Sequence, residues 1–262
     1  MRVENLLNRL AAIPKPLGWA LLTGLFTGIA LLTTFFPLYL GIPINIVLPI
    51  SVLLLCKMVF FERLKLSTLI VMRLVIIATV LSFISPELCL MLALIFLAIN
   101  ILEATLTDLI KAKNYFNFIS GLALIIAIPL IILKNTHSQA YWTGKYYTFN
   151  FEGVWFWIIA YTIWNWNFVT REFSASIGKM HMGVLLAPIL GSLVCLNPGL
   201  WLILRGNSLV VAGTIQIADK GRLEDYFKDD KFAAFVGKYQ SSKVQFFLMV
   251  LNVILALLPV YL

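Results

Sequence analysis

Charged and amide side chains inside long apolar segments are the residues of this sequence with the greatest chemical potential. Asn100 and Glu103 lie three residues apart in the segment 86–111, and Arg73 lies in the preceding segment. A charge at the centre of a bilayer costs at least about 2.5–3.5 kcal/mol on insertion scales, so such residues often mark a pathway or a binding site. We expect an Arg73–Glu103 ion pair near Asn100, with Glu103 as a proton or cation coupler. Asp108 points roughly 140° away from Glu103, near the helix end, and we expect it to be solvated.

A second group combines aromatic rings with a carboxamide. Tyr161, Trp164 and Asn165 converge on one stripe of the segment 153–171. An aromatic wall with an amide suits a planar or sugar-like ligand. The alternative is packing, because aromatic rings and asparagines also hold membrane helices together.

A third group surrounds Arg205 in the long apolar stretch 181–218, which is interrupted at 197–199 by the sequence Asn-Pro-Gly. Proline and glycine at membrane depth free backbone groups that must be buried or line a cavity. Arg205 beside a glycine suits a substrate carboxylate or phosphate. The alternative is a short outside turn at Pro198 with Arg205 snorkelling outward.

The composition shows what kind of element must position these residues. Hydrophobic residues make up 61% of the 262 residues and charged residues 12%, and the mean hydropathy is +0.95. A soluble domain needs about twice this charged fraction to cover its surface, so the soluble classes are excluded. The net charge of +8 does not indicate nucleic acid, because in such a chain Lys and Arg mark the cytoplasmic side of a membrane.

The apolar segments predict an all-α, polytopic integral membrane bundle. A spanning helix needs about 20 apolar residues. Such segments occur near 16–40, 43–62, 66–85, 86–111, 115–134, 153–171 and 244–262, and the stretch 181–218 adds a broken or re-entrant pair. We therefore predict about nine transmembrane helices, seven plus that pair.

The distribution of basic residues favours two passes, or a re-entrant hairpin of the same parity, for the stretch 181–218. With nine crossings, sixteen Lys and Arg lie on the cytoplasmic side, and only Lys134 and Lys145 lie outside. With a single pass, ten Lys and Arg would lie on the cytoplasmic side and eight outside. The prediction is a cytoplasmic N-terminus and an outside C-terminus.

Three further segments complete the predicted organisation. Residues 1–15 are expected to form a cytoplasmic amphipathic helix, and 16–262 are expected to form a single transmembrane domain. An aromatic outer loop at 135–152 alternates from Tyr147 onward and predicts a short hairpin, either a lid or an interface belt. A cytoplasmic amphipathic loop occupies 219–243.

Metal and cofactor chemistry is not indicated. Three cysteines lie in apolar segments without CxxC spacing, and neither His137 nor His181, which is predicted to open the seventh helix, has a second ligand at metal spacing. No Walker or dinucleotide motif occurs. We expect no cofactor and no metal.

These observations predict a gradient-driven transporter or channel for a small solute or ion in a cytoplasmic-type cell membrane. The alternatives are an integral membrane enzyme acting on a lipid-linked substrate, and a non-catalytic membrane subunit or scaffold. The expected partners are the lipid bilayer and an unknown solute or ion, with a homo-oligomer or a protein partner left open and nucleic acid not expected. Glu103→Gln is expected to abolish uptake without unfolding the protein. The predicted substrate-binding residues are Arg73, Asn100, Glu103, Tyr161, Trp164, Asn165 and Arg205.

Overall fold

The computed structural model of the chain describes residues 14–58, 60–134 and 139–262. The predicted amphipathic helix at 1–15 lies outside the described residues except for its last two positions. In the described part the chain forms eleven helices and one small hairpin. The helices are α1 Lys15–Phe35, α2 Pro37–Leu55, α3 Phe60–Val80, α4 Pro86–Ile110, α5 Tyr115–Lys134, α6 Val154–Glu172, α7 Ala175–Val194, α8 Trp201–Ala218, α9 Lys220–Phe227, α10 Asp230–Tyr239 and α11 Ser242–Leu257.

Seven of these helices are long and apolar enough to cross a membrane, which confirms the all-α class and indicates a multi-pass membrane protein. They are α1, α2, α4, α5, α7, α8 and α11. Their outward faces carry exposed Leu, Ile and Val, with Leu54 80% exposed and Leu133 80% exposed. Apolar faces of this extent suit lipid rather than water. Helices α3 and α6 are similarly long, with 21 and 19 residues, but are more polar.

Helices α7 and α8 form the centre of the bundle. Most residues along their apolar lengths are buried, whereas well under half are buried in each of the other five apolar helices. The interruption at 197–199 is a turn between these two helices, in which the Asn197 side chain accepts a hydrogen bond from the Gly199 amide. The predicted broken stretch is thus a pair of helices, and both have spanning length. Ser174 caps α7, so His181 lies in its second turn, and the prediction that His181 opens this helix is wrong.

The first helix boundary differs from the prediction because of proline. Segments at 16–40 and 43–62 were predicted, but α1 ends at Phe35 and α2 begins at Pro37. The residue before a proline avoids helical geometry, and Phe36 accordingly adopts φ −125° and ψ 60°. Two π-helical turns, Pro37–Gly41 and Pro43–Val47, then carry α2 past the predicted gap.

The second boundary differs because the charges near residue 63 belong to a helix and not to a loop. Helix α2 ends at Leu55 and α3 begins at Phe60, which places Glu62 in the first turn of α3. An acidic residue there is favoured by the helix dipole. Lys65 consequently lies inside α3, half-buried, instead of in a cytoplasmic loop. In contrast, α4, α5 and α6 match the segments predicted at 86–111, 115–134 and 153–171 to within one residue at each end.

The aromatic loop contains the predicted hairpin. Strand β1, Gln139–Trp142, pairs antiparallel with β2, Tyr147–Asn150, and Gly144 adopts a φ of 87° in the turn between them. Tyr147 is 2% exposed and points into the bundle. Asn150 donates a hydrogen bond to Asn197 at 3.2 Å, which holds the hairpin against the α7–α8 turn. Residues 135–138 of the predicted loop lie outside the described residues.

The predicted amphipathic loop at 219–243 contains the two short helices α9 and α10. Phe227 of α9 is 1% exposed and packs among Phe26, Met180 and Val184. An ion pair of 2.6 Å between Lys179 and Asp229 holds the junction of α9 and α10 to α7. The buried side chains Phe227 and Val236 therefore face the bundle itself, whereas Phe235 is exposed.

Candidate functional site

Helices α3 and α8 place charged residues in layers inside the protein. On α3, Lys65, Leu69 and Arg73 are spaced four residues apart and share one face. On α8, Arg205 and Leu209 have the same spacing. The two helices run antiparallel, so that Arg73 meets Gly206 while Leu69 and Leu209 cluster with Val210. The Lys65 and Arg73 layers are about 12 Å apart along the helix.

The first polar layer surrounds a cavity of about 50 Å³, here named the arginine cavity. Four of the seven predicted site residues line it, together with Tyr147 from the hairpin. A volume of about 50 Å³ holds a few water molecules or one small polar group. The four are Arg73, Asn100, Tyr161 and Arg205.

Arg73 is 5% exposed and donates a hydrogen bond to Asn207 Oδ1. Asn45 donates to the same oxygen at 3.2 Å, and Asn207 Nδ2 donates to Thr34 Oγ1 at 2.8 Å. Four helices, α1, α2, α3 and α8, are thus joined around one amide. Gly206 makes room for the guanidinium, because a Cβ there would lie 2.5 Å from Arg73 Nη2.

The predicted Arg73–Glu103 ion pair is wrong. The space above Gly206 lets Arg73 extend across to α8 and away from α4, where it meets Asn207. Glu103 is half-buried, does not line the arginine cavity, and interacts electrostatically with Lys65. Asn100 does line the cavity and donates its amide to the Phe96 carbonyl at 2.9 Å.

Arg205 is 3% exposed, so the alternative in which it snorkels outward is wrong. Its Nε lies 3.4 Å from the Tyr161 hydroxyl, and its Nη2 lies 3.5 Å from Asn165 Oδ1. The guanidinium carbon is also 5.7 Å from the centre of the Tyr161 ring, within cation–π range. Tyr161 and Asn165 of the predicted stripe therefore contact the guanidinium of Arg205, a cation of the protein itself.

Trp164 lies apart from this cavity. It is 1% exposed and stacks on Phe168 with ring centroids 6.5 Å apart. Its indole nitrogen faces Gly121 of α5, where an added Cβ would approach it to 2.7 Å. The two interpretations of the aromatic stripe were ligand binding and helix packing. The position of Trp164 favours packing.

The second polar layer surrounds a cavity of about 60 Å³, here named the histidine cavity. Lys65, His181 and Gln216 line it, and His181 Nε2 lies 2.7 Å from Gln216 Oε1. The imidazole stacks on Phe173 at 5.6 Å. Sequence reasoning missed this site, because the separation of 35 positions between His181 and Gln216 conceals that α7 and α8 return them to the same depth.

Leu69 and Leu209 line both cavities, and we call this pair the leucine layer. They are 7% and 9% exposed and form a buried cluster with Val210. The order along α3 and α8 is thus polar, apolar, polar.

Asp108 belongs to a separate polar contact and is not solvated as predicted. It is 1% exposed and accepts a hydrogen bond of 2.6 Å from Asn117 Nδ2, which also contacts the Trp164 carbonyl at 3.3 Å. The tight connection between α4 and α5 brings these residues together. This contact joins three helices and lies outside both cavities.

The fold and the site define a multi-pass helical membrane protein whose interior carries two polar cavities around a leucine layer. Within residues 14–58, 60–134 and 139–262, no group of three or more His, Cys, Asp or Glu side chains is arranged to hold a metal ion. Comparison with protein-family models, curated proteins and solved structures finds no match for the chain.

Proposed function

We propose that the protein is a carrier or channel in which a small solute or ion passes between α3 and α8. The observation that carries this proposal is that the arginine and histidine cavities adjoin the same two residues, Leu69 and Leu209. A purely structural core has no need for charged groups on both sides of an apolar layer, since each buried charge costs free energy. A transport pathway uses such an arrangement as two compartments with a closed gate between them.

The proposed topology has nine crossings in a cytoplasmic-type membrane, with the N-terminus in the cytoplasm. Helices α3 and α6 cross together with the seven apolar helices. The excess of basic residues on one side supports this orientation. The histidine cavity then opens toward the cytoplasm, and the arginine cavity lies toward the outside, beneath Tyr147 of the hairpin.

Energy coupling is assigned to Glu103 and Lys65. Glu103 interacts electrostatically with Lys65, and Lys65 lines the histidine cavity. A base on the proposed path, with an acid beside it, can exchange a proton or a cation as compartments open and close. The expected loss of uptake in Glu103→Gln, with the fold retained, follows from this role.

Removal of the gate tests the proposal whatever the identity of the solute. Leu69→Ser combined with Leu209→Ser replaces the apolar layer by hydroxyl groups, which should let water and ions enter. Proteoliposomes of this variant are expected to leak chloride, followed with an enclosed chloride-sensitive dye, while wild-type liposomes stay tight.

The matched control is Leu124→Ser, because Leu124 is a fully buried leucine of α5 in the main apolar core. The control should not leak. Gel filtration verifies that all three proteins are folded and monodisperse. If the double variant is folded and as tight as the control, the two cavities are not compartments of a pathway, and the scaffold alternative gains.

A further inference from the structure

Two guanidinium groups share the arginine cavity, and both are buried. Arg73 and Arg205 each expose 5% or less of their surface. In the described part of the chain neither forms an ion pair with a carboxylate. Arg73 Nε and Arg205 Nη1 moreover have no hydrogen-bond partner.

The partners that do reach these groups are neutral. Arg73 binds the Asn207 amide, and Arg205 lies at long hydrogen-bonding distance from Tyr161 and Asn165. Arginine stays protonated in proteins, so the cavity carries two positive charges. A buried charge with neutral partners alone is poorly compensated.

Neither Tyr147 nor Glu103 supplies a negative charge to the arginine cavity. Burial raises the pKa of the Tyr147 phenol above its ordinary value, against a smaller opposing effect of Arg73, so this phenol is neutral at neutral pH. Glu103 interacts with Lys65 and does not line the cavity. Two buried positive charges, with no negative group of the described chain paired to them, therefore dominate the electrostatics of the cavity.

We propose that the arginine cavity binds the oxyanion group of a carboxylate or phosphate ligand between Arg73 and Arg205. Guanidinium forks match the paired oxygens of such groups. With a cavity volume of about 50 Å³, only the charged group and a small remainder fit. This inference rests on the proposed function and names its substrate class, a small anion. An anionic lipid headgroup has the same chemistry and is the other source of the ligand.

The test measures binding to purified full-length protein at constant ionic strength. The probes are inorganic phosphate, sulfate and succinate, with chloride as the reference, and the readouts are equilibrium binding and the thermal midpoint. A second arm compares nanodiscs of phosphatidylglycerol with nanodiscs of phosphatidylcholine. Saturable binding of a soluble probe identifies a free anion, whereas stabilisation by phosphatidylglycerol alone identifies a lipid headgroup.

Arg205→Gln and Arg73→Gln are each expected to weaken binding about tenfold or more. Arg205→Lys, which keeps the charge but loses the fork, should fall between wild type and Arg205→Gln. The matched control is Arg63→Gln, an exposed arginine on α3, and its affinity should equal that of wild type. Absence of binding in both arms, or binding unchanged in both glutamine variants, would overturn the proposal.

A measurement on wild-type protein covers the case in which a glutamine variant fails to fold. Backbone hydrogen exchange of the wild-type protein is followed by mass spectrometry. Phosphate or anionic lipid should slow exchange around Arg73 and Arg205 and leave exchange around Arg63 unchanged; equal exchange with and without ligand would contradict the site. If anions bind but the Leu69→Ser, Leu209→Ser variant does not leak, the anion site stands and the transport proposal fails. If that variant leaks but no anion binds, the transport proposal stands and the anion site fails.

Discussion

At the scale of single residues, Gly206 determines where Arg73 points. The guanidinium occupies the volume that a side chain at 206 would fill. In Gly206→Ala the new Cβ would lie 2.5 Å from Nη2, so the flexible Arg73 side chain must move away from Asn207. The loss of a hydrogen bond to a charged group is expected to lower the free energy of unfolding by about 1.5–3 kcal/mol.

Gly213→Ala is the control for this prediction. Gly213 lies on the same helix, and a Cβ there meets no atom within 4 Å. Its unfolding free energy in detergent should stay within about 0.5 kcal/mol of wild type. Equal stability of the two variants would show that Gly206 does not position Arg73.

The Asp108–Asn117 contact yields a second prediction at this scale. Asn117→Leu leaves the buried Asp108 carboxylate without its 2.6 Å partner, and we expect a loss of about 1.5–3 kcal/mol in unfolding free energy. Asp108→Asn keeps an acceptor and should cost much less. Adding Asp108→Leu to Asn117→Leu should restore part of the loss, because no buried polar group is then left without its partner. Strictly additive losses in this double-mutant cycle would contradict the pairing.

The inward orientation of four polar residues at the arginine cavity was predictable from single residues, but the contribution of Tyr147 and the pairing within the cavity were not. Arg73, Asn100, Tyr161 and Arg205 are polar groups in apolar helices, and such groups turn inward together. The partner of Arg73 depends on the rotation of α3 relative to α8 and on the space above Gly206, which hydropathy does not report. The His181–Gln216 contact escaped prediction for the same reason.

At the scale of elements, helices with clear end signals were predicted well. Ser85 caps α4 just before Pro86, and the predicted limits of α4 agree to one residue. The α1–α2 boundary was misplaced because π-helical turns continue α2 through a segment that reads as a loop. The α2–α3 boundary was misplaced because charges that end an apolar run also fit the first turns of a helix.

The attachment of α9 and α10 to α7 is expected to weaken in acid. The hydrogen bond from Lys179 lowers the pKa of Asp229, and the Phe232 amide adds to this effect. A carboxyl with a lowered folded pKa stabilises above its unfolded pKa of about 3.9, and this stabilisation disappears as the pH falls through the folded value. Hydrogen exchange of residues 220–239, corrected for intrinsic rates, should therefore increase below about pH 4.

Asp229→Asn is expected to show faster exchange at neutral pH and little further change in acid. Asp225→Asn is the control, since Asp225 is an exposed residue of α9, and it should follow the wild-type profile. Identical profiles for Asp229→Asn and wild type would show that the Lys179–Asp229 pair does not hold this segment.

At the scale of the whole molecule, the two central helices and the surrounding apolar helices form concentric layers. Helices α7 and α8 are mostly buried, and the outer helices present leucine and isoleucine outward. Composition predicted the apolar outward faces, because a chain with 12% charged residues has too few charged groups to cover a surface in water, but it did not predict which helices are central. The position of the arginine and histidine cavities on either side of the leucine layer was not predictable, since it arises from the register of α3 against α8.

The central claim is that a path closed by the leucine layer runs between α3 and α8. The most direct measurement is labelling of Leu69→Cys by a membrane-impermeant thiol reagent in sealed vesicles, with Cys56, Cys89 and Cys195 replaced by serine. Because a gate opens intermittently, this cysteine should react over time from the aqueous side, whereas Leu124→Cys in the same background should stay unlabelled. If Leu69→Cys remains as unreactive as Leu124→Cys from both sides of the membrane, no path exists there and the account is contradicted.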